Sequence, residues 1–213
     1  MNHMPLKPIA APVRAPTRRA LAKQRTREKI LASARELFTE KGYERATIRD
    51  IASTAGMSTG AVFASFSDKS ELFQEILTAD HEMVFGAMRD AAVGDTAEAK
   101  IVGLFAKGYE HHMHDLPLLQ AAIAAAWSPE IGAEIRNRIN RPSVPALLSE
   151  ILTTAQQRGE LSRDANVSLM AQMFWDSYLA NYRHAAFEGW GLDALMARMK
   201  EQVSIILGGA RRG

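Results

Sequence analysis

Apolar side chains recur at helical spacing along most of the chain. Ile30, Leu31, Ala34, Leu37 and Phe38 fall at i, i+1, i+4, i+7 and i+8, one stripe on a helix that the pattern starts near Thr26. Gly42 follows where a helix commonly ends. Thr47 and Asp50 have the spacing of a capping box for a short second helix, with Ile48, Ile51, Ala52 and Ala55 on its buried face. Gly56 stops that helix, and Ser58 is a fresh N-cap for a third that buries Val62 and Phe66. Asp68 with Glu71 caps a fourth, burying Leu72, Phe73, Ile76 and Leu77. Two short helices joined by Ala55-Gly56-Met57 have the length and turn chemistry of a helix-turn-helix.

The remainder is helical by period, broken at Gly94, Pro117, Pro129, Pro142, Gly159 and Gly189, with no alternating strand pattern and no internal repeat. The predicted fold class is all-α. Prolines at 5, 8, 12 and 16 deny the first twenty residues a helix and predict a flexible arm. The expected organisation is a basic arm over 1–22, a three-helix DNA-binding domain over 23–69 with its motif at about 47–66, and a helical ligand-binding and dimerisation domain over 70–213.

Charge sharpens this division. The net charge is only +2, but residues 1–69 hold thirteen Lys and Arg against six Asp and Glu, while the rest carries a net negative charge. A basic head on an acidic body is the footprint expected when only the head meets a polyanion. The absence of cysteine excludes disulfides, thiolate metal sites and cysteine nucleophiles. The longest apolar stretch, Leu116 to Trp127, is too short for a bilayer and is interrupted by Pro117 and Gln120. With no apolar signal segment either, a cytoplasmic protein without a membrane partner is expected. No Ser/His/Asp spacing, glycine-rich phosphate loop or paired-carboxylate site supports an enzyme, and no cofactor is expected. His111 and His114, beside His112 and Asp115, have a spacing that suits one ion. Histidines in the last turn of a helix more often answer its negative end, so no metal site is expected.

The stretch Thr26 to Phe73 resembles the DNA-binding domain of the tetracycline-repressor-like (TetR/AcrR) regulators. The resemblance rests on Ile30-Leu31, Ala34, Leu37-Phe38, Gly42-Tyr43, Thr47, Ile51-Ala52, Ala55-Gly56, Ser58, Gly60, Phe66, Lys69 and Leu72. Beyond it the likeness thins to helix lengths and the phrase RGELSRD at 158–164. The chain departs from the family on the reading helix, where Thr59-Gly60-Ala61-Val62-Phe63-Ala64-Ser65-Phe66 replaces the usual Lys-Gly-Thr-Leu-Tyr-His-Tyr-Phe type of sequence. Phe63 lacks the hydroxyl that the usual tyrosine offers to a phosphate.

A helix reads base edges in the major groove with side chains near its N-terminus. Those are Ser58, Thr59, Ala61 and Phe63, suited to thymine methyls and hydroxyl bonds rather than bidentate guanine contacts. Arg49 either supplies that guanine contact or rides the solvent face. Thr47 and Lys69 stand at helix N-terminal ends, which favour phosphate. Gly60 permits close approach to DNA or to a partner helix, and Tyr43 is read as core before phosphate donor. Arg18 and Arg19, in the arm, either enter the minor groove or belong to a solubilising tail that touches nothing.

For the body, the candidate pocket residues are Phe105, Tyr109, His112, Trp127, Met170, Met173, Phe174 and Tyr178. Such a stripe is more often plain core, and the family resemblance, with its apolar cavity among these helices, raises the pocket reading. Trp175, Tyr182, Leu192, Leu195, Met199, Val203 and Ile206, on the last two helices, are expected at a two-fold interface, as family members dimerise. The expected partners are double-stranded DNA with a palindromic operator, a second copy, and an unidentified small-molecule effector. The predicted function is a DNA-binding transcriptional regulator, a repressor released by an apolar or amphipathic ligand. The alternative is an effector-independent architectural or cell-division factor on the same fold.

Overall fold

A computed structural model describes residues 17–126 and 143–210. They form α1 (Arg18–Lys41), α2 (Ile48–Thr54), α3 (Thr59–Phe63), α4 (Lys69–Ala91), α5 (Ala97–His112) and α6 (Leu116–Ala126), then α7 (Val144–Gln157), α8 (Val167–Glu188) and α9 (Leu192–Gly208). No strand occurs among the described residues, and the fold is all-α.

Local chemistry sets the boundaries in the head. Gly42 closes α1 at φ 77°, a conformation that a Cβ makes costly. Thr47 Oγ1 accepts the Asp50 N–H at 3.1 Å while the Asp50 carboxylate accepts the Thr47 N–H at 3.3 Å, completing the capping box. Ser58 caps α3 and Asp68 caps α4 in the same way. The start of α1 differs from expectation. Thr17 accepts the Ala20 N–H at 3.2 Å and the helix begins at Arg18, about two turns before Thr26. Arg18 and Arg19 are therefore helical rather than part of an extended arm. The signal for this was a threonine cap immediately after the last proline of the series.

Two cores share α4. Its first half gives Leu72, Phe73, Ile76 and Leu77 to a core with Ile30, Leu37 and Phe38 of α1, Ile51 of α2 and Val62 of α3. Its second half gives Val84, Phe85 and Met88 to the body core. Leu118 and Ala125 of α6 also pack into the head core, so α6 touches the head as well as the body.

The apolar seam of α9 is spent inside the subunit. Leu195, Met199 and Val203, expected to face a partner, are fully buried where α9 packs on α5 and α8. Tyr182 is likewise buried, and Trp175, Leu192 and Ile206 pack half-buried against the same core. Heptad-like spacing identifies an apolar face but not its occupant, and α5 and α8 occupy this one. On α8 and α9 the exposed large apolar residues are instead Leu169, Met173, Phe187 and Ile205.

Candidate DNA-binding surface

The candidate reading helix α3 buries Val62 and turns Ser58, Thr59, Gly60 and Phe63 outward, with Ala61 half-buried. Phe63 is 55% exposed among the described residues, an unusual position for a phenyl ring. At Gly60 an added Cβ would meet only Ser58 Oγ, at an ordinary 3.8 Å. Packing within the subunit therefore does not require that glycine, which removes the partner-helix explanation for it.

Thr47 and Arg49 are exposed at the start of α2. The Asp50 carboxyl is held below its ordinary value, first by its bond from Thr47. Lys69 is more committed than its position suggested. Its Nζ donates to the carbonyls of Tyr43 at 2.8 Å and Glu44 at 3.3 Å and lies 4.2 Å from the Tyr43 ring centroid. It ties the α1–α2 corner to α4. Tyr43 itself lies tilted against Phe73 with ring centroids 4.5 Å apart, half-buried against the head core.

Two arginines that charge counting treated as generic are structural. Arg27 donates to the Ser65 carbonyl, pairs with Glu75 through two nitrogens, and lies over the Phe66 ring at 4.0 Å, clamping α1 to the end of the motif and to α4. Arg35 of α1 reaches Asp80 of α4 at 2.8 Å and Asp115 of the α5–α6 turn at 3.0 Å. Burial pulls the Arg35 guanidinium down, but the two carboxylates outweigh it and hold it above its ordinary value. Thr39 donates to Asp115 at 2.9 Å, and His111 lies 3.4 Å from Asp80.

In the body the expected pocket residues mostly pack solid. Phe105 and Tyr178 stack at 4.7 Å, Tyr109 and Tyr178 lie 4.8 Å apart, and Phe174 is fully buried beside Met170 in the same core. His112 Nδ1 sits 3.1 Å from the Tyr178 hydroxyl and 2.9 Å from that of Tyr182, and Asn181 donates to the Tyr109 hydroxyl at 3.0 Å. Burial pushes all three tyrosines up and lowers His112 to about 4, so it is neutral near pH 7. Met173 is 44% exposed and faces away from this core, against expectation. Trp127 lies outside the described residues. His111 turns to Asp80, His112 to the tyrosines and His114 to solvent, so the histidine run is divided among three surroundings.

A groove of about 340 Å³ opens between α7 and α8, lined by Pro145, Ala146, Ser149, Ser168, Ala171, Gln172 and Trp175. It contains none of the expected pocket residues. Trp175, assigned by sequence to the interface, forms one wall and stacks on Tyr178 at 5.4 Å, joining the groove to the aromatic core.

Residues 30–76, spanning the second half of α1 through the first part of α4, match the family of bacterial regulatory proteins of the tetR type. These residues carry the DNA-binding signature of TetR-type bacterial transcriptional regulators. The regulator UidR of Escherichia coli K12 is 26% identical over 157 residues, which is 72% of this chain and 78% of that one. The repressor AcnR of Corynebacterium diphtheriae is 48% identical over 54 residues, 25% of this chain and 28% of that one. In structure, the fold is similar to that of FadR from Bacillus subtilis, solved with stearoyl-CoA, at a TM-score of 0.72 and 21% identity over 86% of this chain and 99% of that one. The named relatives are transcriptional regulators and repressors, and α3 with its cap lies inside the matched residues. No helix among the described residues is long and apolar enough to cross a membrane.

Proposed function

We propose that this TetR-family chain is a homodimeric, cytoplasmic repressor that an apolar or amphipathic small molecule releases from a palindromic operator. The observation that carries the DNA contact is the outward set Ser58, Thr59, Gly60 and Phe63 on α3, flanked by exposed Thr47 and Arg49. Thr59 and Arg49 read bases; the free N–H groups at the start of α2 and α4 take phosphate. The α7–α8 groove is the ligand site in this reading. Its volume suits a small ligand, Trp175 offers an apolar wall, and Ser149, Ser168 and Gln172 offer polar anchors.

For the dimer, the outward face of α8 is self-complementary. Leu169, Met173, Asp176, Ala180, Arg183 and Phe187 are all exposed and fall within about 80° of one another at 3.6 residues per turn. Two copies crossing antiparallel at Ala180 set Met173 against Phe187 and Asp176 against Arg183, each pair twice, as two-fold symmetry requires. Exposed Ile205 of α9 extends the apolar area.

The test begins with a duplex enriched from a random pool by the full-length chain. Arg49→Ala or Thr59→Ala is expected to cost about 1–3 kcal/mol on that duplex and little on random DNA. Stearoyl-CoA, the compound bound by the structurally similar FadR, is expected to displace the chain by seating part of its acyl chain in the groove with its head outside, and Trp175→Ala to blunt the displacement. Tight binding that stearoyl-CoA, free stearate and apolar drug-like compounds all leave untouched favours the effector-independent reading, to which the solid packing around Tyr178 lends support.

A further inference from the structure

The first twelve residues of α1, Arg18 to Lys29, precede its first buried residue, Ile30. At 1.5 Å per residue they extend the helix by about 18 Å. Along this extension Arg18, Arg25 and Lys29 lie within about 40° of one another at 3.6 residues per turn. All three are exposed, and none makes an ion pair among the described residues. The one acid of the stretch, Glu28, is turned aside and accepts a bond from Gln24 at 2.9 Å. Like charges stacked along one face disfavour an isolated helix, so this stripe gains stability from an anionic partner.

The lower end of the stripe locates that partner. The Lys29 ammonium lies over Gly56, 3.8 Å from where a Cβ would stand, in the turn that leads to Ser58 and Thr59. The basic face therefore runs into the N-terminal end of the reading helix. Arg27, by contrast, points to Glu75 and belongs to the clamp inside the head.

We propose that the Arg18–Arg25–Lys29 face of α1 is a second DNA-binding surface, which holds the phosphate backbone flanking the half-site read by α3. The proposal rests on the reading of α3 as the groove-facing helix and extends it outward. Its three cations can each meet one phosphate of the flanking backbone. Its contacts are with phosphate alone, so it strengthens binding and fixes orientation without selecting sequence.

The test compares the full-length chain with R18Q/R25Q/K29Q on the enriched duplex, after confirming equal helicity and thermal midpoint. Each lost phosphate contact removes about 0.9 from the slope of log K against log salt. The triple variant is expected to lose two to three units of slope per bound head, equally on enriched and random duplexes. R18Q/R25Q, which leaves Lys29 over Gly56, is expected to lose about two-thirds of that. Trimming five flanking base pairs from each end should reproduce the loss in the unmodified chain and add nothing in the variant. Equal slopes for chain and variant overturn the second surface while leaving the reading helix in place. Failure of the unmodified chain to enrich any duplex overturns the reading beneath it.

Discussion

Arg35 of α1 and Asp115 of the α5–α6 turn, eighty residues apart in sequence, meet at 3.0 Å. The same guanidinium holds Asp80, so one side chain joins the head to both α4 and the turn before α6. Removing it leaves two mostly buried carboxylates facing each other. Arg35→Gln is expected to cost about 1–2 kcal/mol, discounted because Arg35 itself is 36% exposed. Asp115→Asn should cost less, because the amide oxygen still accepts from Arg35 while the Thr39 hydroxyl, which donates to the other oxygen, can turn and accept from the amide N–H. The double variant should cost less than the sum, since both changes break one contact. Urea midpoints at constant m measure all three.

Gly108 is set by the aromatic core rather than by helix chemistry. A Cβ there would run into the Tyr178 hydroxyl and crowd the Met88 methyl. Gly108→Ala gains helix propensity of about 1 kcal/mol, but overpacking a closed core costs about 1–3 kcal/mol, and Tyr178 is pinned by Phe105, Tyr109 and Tyr182. Net destabilisation is expected. Tyr178→Phe removes the colliding oxygen, so Gly108→Ala should be milder in that background. A thermal-melt double-mutant cycle showing simple additivity would reject this account.

The head was legible because its signals are local. Gly42, the Thr47–Asp50 box, Ser58 and Asp68 each act within four residues, and each stands where the sequence placed it. The body was less legible because its partners are distant. Met173 and Met199 have the same side chain on neighbouring amphipathic helices, yet one faces solvent and the other is buried against α5 and α8. Nothing within a helical turn of either residue distinguishes them. Arg27 and Arg35 were visible only as positive charge and Lys69 only as a phosphate contact, whereas their partners lie 25 to 80 residues away. The groove beside Trp175 needed the packing of α7 on α8 to appear at all.

His112 gives the protein an acid-sensitive joint. Burial, helped by the positive charge of His111 and His81 when protonated, lowers it from 6.5 to about 4 despite the nearby Asp80. A base with a depressed folded-state value binds its proton more readily in the unfolded chain. Its contribution to stability is therefore full above about pH 6.5 and is lost as the pH falls toward 4. At about 1.4 kcal/mol per unit the loss approaches 3 kcal/mol. Urea midpoints between pH 7.5 and 4.5 should show this decline. His112→Gln should be less stable at pH 7.5 and should lack that share of the slope; an unchanged slope would assign it to other groups.

The two outward and inward methionines also separate assembly from folding. Met199→Glu puts a carboxylate into a fully buried site between α5, α8 and α9 and is expected to unfold the body, lowering stability by several kcal/mol. Met173→Glu puts the same group on an exposed face and should leave the monomer folded with nearly unchanged helicity. If the α8 face pairs antiparallel about Ala180, Met173→Glu should nonetheless yield monomers in sedimentation at micromolar concentration. Asp176→Arg should do the same, because it sets arginine against arginine across the two-fold. The double variant Asp176→Arg with Arg183→Asp restores opposite charges in the reversed sense and should recover the dimer. Recovery depends on register, since a general gain of surface charge would weaken association in the double variant as well. A wild-type chain that sediments as a monomer, or a double variant no better than Asp176→Arg alone, rules out this pairing.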